Sequence, residues 1–153
     1  MRGTTGNTVL LAGSPRLLHE EGIDLSPHYN YGVEEWGWLK PYLADSKDPG
    51  LIAYGDFMKA RLPNVDPANF AAGYGYMVAQ ALVVVLEQCK NDLSRANIMA
   101  QAANLKNVPL SMLLPGITLN TSPTDYRPIK DGYMVEFRDS QLAVISELLH
   151  GGS

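Results

Sequence analysis

The sequence predicts an α/β fold, with helices packed on a small sheet and a β-hairpin at the C-terminus. Three observations carry that prediction. The stretch Asp66–Lys90, DPANFAAGYGYMVAQALVVVLEQCK, sets Phe70, Tyr74, Met77, Val78, Ala81, Leu82, Val85 and Cys89 on one helical face. Two more segments, about Asp48–Leu62 and Asp92–Leu105, carry helix-start signals. Near the end, alternating Tyr133–Phe137 and apolar Leu142–Ser146 flank Arg138-Asp139-Ser140, the pattern of a hairpin closed by a tight turn.

The chain as a whole sets bounds on function. Its 153 residues, 46% hydrophobic and 18% charged, suit one globular domain that buries about two-thirds of its unfolded surface. A net charge of −4 with no basic cluster argues against nucleic acid or an anionic membrane as the main partner. The single cysteine, Cys89, rules out an intramolecular disulfide and a cysteine-rich zinc site. Its place on the apolar helix face reads as a small buried hydrophobe. The longest unbroken apolar run, Ala81–Leu86, is far shorter than the roughly 20 residues of a membrane span, so none is expected. Val9–Ala12 is likewise short for a signal-peptide core of about 7–15 residues, so no export signal is expected in the chain as written.

Residues 1–32 carry the weakest pattern and stay unassigned. Thr8–Ala12 reads as a short strand running into Gly13-Ser14-Pro15-Arg16. That arrangement resembles the phosphate loop of flavodoxin-like flavin reductases, whose backbone N–H groups cradle a phosphate. The helix and further βα units of such a fold do not follow, so an ordinary turn is preferred. A small FMN-binding oxidoreductase using this loop remains the alternative from a different class. His19-Glu20-Glu21 with His28 has no metal-ligand spacing, and Gly22 and Pro27 spoil a helical presentation, so it reads as a solvated loop. Tyr29–Gly32 reads as a turn.

Val33–Ala44 reads as an apolar, partly irregular segment, because Gly37 and Pro41 interrupt the helical spacing of Trp36, Leu39 and Leu43. Trp36 and Trp38 in such a segment either line a cleft or cover the core. Asp48-Pro49 then opens the first helix as N-cap and first helical residue, with Leu51, Tyr54, Met58 and Leu62 on one side. Asp66-Pro67 repeats the device for the central helix. Val83, Val84 and Leu86 widen its apolar sector, so it should be packed on most sides with the core formed around it. In the third helix Ser94 caps, Leu93 can staple against Ile98, and Ala100, Ala102 and Ala103 permit close approach. Pro109, Pro115, Pro123 and Pro128 keep 106–130 irregular, and 148–153 reads as a frayed end.

Four stretches together resemble the C-terminal portion of type I periplasmic solute-binding proteins, the branched-chain amino-acid (leucine-binding-like) receptors of ABC transporters. They are GYGYMVAQALVVVLEQC (73–89), DLSRANIMAQAANLKNV (92–108), LLPGITLNTSPTDYRPI (113–129) and MVEFRDSQLAVISE (134–147). The resemblance covers about two-thirds of the chain and leaves residues 1–32 outside it. It implies a partial lobe of the Rossmann-like fold of that family, with residues 33–153 as the C-terminal part of a leucine-binding-like domain. It also implies periplasmic or extracytoplasmic location and an ABC transporter permease as partner. An intact receptor is more than twice as long, with two lobes closing on an amino acid or similar small solute, and needs no cofactor. Most groups that hold the ligand lie upstream of the matched region, so this chain looks like a fragment.

What the resemblance leaves is a cleft rim at the start of the central helix: Phe70, Gly73 and Tyr74. An aromatic there would cover an apolar ligand side chain and the glycine would permit close approach. Periodicity alone puts Phe70 and Tyr74 in the core instead. No catalytic constellation is found and no metal ligands are assigned. A third reading is a plain interaction domain that self-associates through the apolar Val83–Leu86 stretch.

Overall fold

The computed structural model describes residues 34–138 and 141–151. The expectations placed on Thr8–Ala12, the Gly13–Arg16 loop with its FMN alternative, the His19–His28 group and the Tyr29–Gly32 turn lie outside the described residues. What is described is a mixed fold of three helices and a small antiparallel sheet, α/β in the general sense. It divides into two compact units.

One unit holds the sheet. Strand β1 (Glu34–Gly37) pairs antiparallel with β2 (Asp131–Arg138), with Gly37 opposite Tyr133. Strand β3 (Gln141–Val144) pairs antiparallel with the other edge of β2, closing at Arg138 opposite Gln141, which is the expected hairpin. The pairing runs on past β3: Ile145 N donates to the Met134 carbonyl at 2.9 Å. Ser146 Oγ accepts from Met134 N, also at 2.9 Å. Strand β1 makes Glu34–Gly37 regular within the segment 33–44, while 38–44 keeps the irregular path expected of it. A Cβ at Gly37 would stand 2.7 Å from Cγ1 of buried Val135, so the residue that breaks a helix is the one that lets this strand lie close. A short β4 (Leu149–His150) also pairs with β2, where a frayed end was expected.

The second unit holds the helices and the proline-rich segment. Helix α1 (Pro49–Arg61) begins as expected: Asp48 is the N-cap, its Oδ1 accepts from Leu51 N at 3.0 Å, and Pro49 stands at the first position. The other carboxylate oxygen binds Lys40 Nζ at 2.8 Å. Leu51, Tyr54 and Met58 are buried, whereas Leu62 has become the exposed C-cap. Tyr54 is wholly buried, and its hydroxyl donates to the Pro67 carbonyl at 2.9 Å.

Helix α2 (Phe70–Cys89) starts later than the sequence suggests. Its N-cap is Asn69, whose Oδ1 accepts from Ala71 N at 2.9 Å. Asp66 instead accepts from Ala68 N at 2.9 Å and builds the turn before it. Helix α3 (Arg95–Ala102) is capped by Ser94, and Leu93 stays exposed rather than stapled. It packs against α2, with Asn97 Nδ2 donating to the Cys89 carbonyl at 3.3 Å.

The core corrects the expectation placed on α2. Gly73, Met77, Val85 and Cys89 are its only fully buried residues, so it is packed along one side and not on most sides. Half of the buried apolar side chains among the described residues come from the segment without helix: Leu105, Val108, Leu110, Met112, Leu113, Ile117 and Leu119. That segment can be buried because its backbone finds partners. Val108 and Leu119 exchange hydrogen bonds at 3.1 and 2.8 Å. Lys40 N donates to the Met112 carbonyl at 2.8 Å and Leu114 N to the Trp38 carbonyl at 2.9 Å, forming the Leu39–Leu113 bridge.

Two sets of side chains complete it. Thr121 Oγ1 donates to the Ala102 carbonyl at 2.7 Å and accepts from Leu105 N at 2.9 Å. Asn120 Oδ1 accepts from Asn107 N at 2.9 Å, where Asn107 takes a positive φ of 49° that asparagine tolerates. Beyond them the Asp125 carboxylate receives Arg127 at 3.1 Å through both Nε and an Nη, and Lys130 Nζ at 2.8 Å. These contacts hold its carboxyl far below the usual aspartate range, the Arg127 side chain having the largest effect.

Candidate functional site

The first turn of α2 presents Phe70 and, one turn on, Tyr74 to solvent. Both were expected at a cleft rim by resemblance and in the core by periodicity. They are not core: Phe70 is 65% exposed and Tyr74 45%. Their rings lie near-parallel, centroids 6.1 Å apart and planes 15° apart. Each also meets the edge of Trp38, at 6.2 and 5.9 Å, in the T-shaped geometry that aromatic quadrupoles favour.

Trp38 is the member that sequence reasoning did not assign to the site. Its signal was present, as an aromatic in an irregular segment, but nothing local places it beside residue 70. The placement comes from backbone pairing of 38–40 with 112–114. The three rings form an apolar, solvent-facing cluster with one hydroxyl, suited to covering a small apolar group.

Gly73 does not join them. It is buried, and a Cβ there would meet Met112 Cε at 3.6 Å, Leu39 Cδ2 at 3.7 Å and Tyr54 Oη at 3.9 Å. Those are ordinary contact distances, and all belong to the core. The expected role of Gly73 as a close-approach point on the rim is therefore corrected: it faces the packed side of α2.

No family model matches this chain, and no curated protein and no solved structure is significantly similar to it.

A concave feature runs along α2. A groove of about 670 Å³ is lined by Phe57, Leu62, Ala71, Gly75, Tyr76, Ala79, Val83 and Pro109, among others. No carboxylate, lysine, arginine or histidine lines it. Two of its polar groups, Gln80 Oε1 and Ser111 Oγ, are joined at 3.0 Å, and Tyr76 adds a hydroxyl. Such a lining offers apolar burial and no acid or base.

The remaining chemistry-bearing residues fall elsewhere. Among the described residues no group of three or more His, Cys, Asp or Glu could hold a metal ion. His150 Nδ1 lies 3.1 Å from Asp131 Oδ1. Cys89 is buried, as its place on the helix face suggested. By length and composition alone α2 is apolar enough to cross a membrane, which the count of unbroken apolar residues did not anticipate. The Asn120-Thr121-Ser122 sequon is occupied by structural work, with the Asn120 amide bonded to Thr118 and Asn107.

Proposed function

We propose that the chain is the C-terminal part of the substrate-binding component of an ABC transporter for branched-chain amino acids or related small solutes. In this reading it is a partial lobe of a type I periplasmic-binding-protein fold, working outside the cytoplasm. It binds without catalysis, by closure of a cleft, and delivers its solute to a membrane permease. The observation that carries the reading is the solvent-facing cluster of Trp38, Phe70 and Tyr74 at the start of α2. An aliphatic side chain laid on such rings loses water contact without needing a charged partner. The amino and carboxyl groups of an amino acid need donors and acceptors that this cluster lacks, and these would come from a second lobe.

Two measurements test it. Calorimetry with leucine, isoleucine and valine on the 153-residue chain should show weak binding or none, because half of the cleft is missing. Micromolar affinity would overturn the half-cleft reading. The DNA upstream of Met1 should continue in frame into a signal peptide and a Rossmann-like lobe. An unrelated upstream sequence would overturn the assignment to this receptor class.

A further inference from the structure

We draw no further inference here: the strongest candidate, the uncharged groove of about 670 Å³ along α2, is an unpartnered apolar face, and nothing in the structure shows what covers it.

Discussion

The hydroxyl of Thr121 donates to the carbonyl of Ala102 over 2.7 Å and thereby ties the proline-rich segment to the end of α3. The same oxygen accepts from Leu105 N at 2.9 Å, so one buried side chain satisfies both an orphan carbonyl at a helix end and a loop N–H. Thr121→Val keeps the shape and removes both bonds. It should cost about 1–3 kcal/mol, and Thr121→Ser distinctly less, because only the valine leaves buried polar groups unpaired. Urea unfolding checks this, with the midpoint shifting and the slope unchanged. Equal losses in the two variants would mean that the methyl group, not the hydroxyl, matters.

Asp125 should govern part of the acid limb of stability. Arg127 and Lys130 hold its folded-state value well below the ordinary 3.8. The ionised carboxylate therefore stabilises the fold above that ordinary value. The contribution fades as pH drops below it, where the unfolded chain takes up the proton first, and is gone below the folded-state value. The melting-temperature gap between wild type and Asp125→Asn should therefore shrink from neutral pH towards strong acid, and salt should narrow it at neutral pH. A gap that stays constant with pH would rule out this ion cluster as the cause.

Two helix glycines should respond in opposite directions to alanine. At Gly73 a Cβ fits among Met112, Leu39 and Tyr54 at ordinary contact distances, so Gly73→Ala should stabilise by about 0.5–1 kcal/mol. At Gly50 a Cβ would stand 2.5 Å from the Ser111 carbonyl oxygen, a backbone atom that cannot swing away. Gly50→Ala should cost about 1–3 kcal/mol. Thermal melts of the two variants decide the point, and a destabilising Gly73→Ala would show that side of α2 to be tighter than these distances imply.

Phe70→Ala tests whether the aromatic cluster is surface rather than core. With Phe70 65% exposed, the loss should stay near 1 kcal/mol, the scale of an aromatic pair. Trp38 emission, read in a Trp36→Phe background, should nonetheless shift, because Phe70 is one of its two ring neighbours. A loss of about 3 kcal/mol or more, typical of phenylalanine truncated in a core, would return Phe70 to the interior.

The elements that were legible are those whose signals are local. Asp48-Pro49 and Ser94 mark helix starts because a side chain reaches only two or three residues along its own chain. The β2–β3 hairpin follows from alternation and a short turn. Strand β1 was not legible in the local pattern, because Glu34–Gly37 becomes a strand only by pairing with residues about a hundred positions on. The expected cap of the central helix was misplaced at Asp66, which builds the turn before it, because the pattern Asp-Pro marks a turn as readily as a helix start; Asn69 is the cap.

Phe70 and Tyr74 show where periodicity stops. The sequence by itself determined that they share an apolar helix face with Met77 and Val85, since a 3.6-residue period is a property of the backbone. Only the tertiary structure decided which part of that broad face is covered. The covering side chains, Met112 among them, come from a proline-rich segment whose path depends on the hydrogen bonds of Thr121, Asn120 and Lys40. Burial is a relation between distant parts of the chain. Phe70 and Tyr74 therefore meet Trp38 and solvent, and Gly73 meets the core.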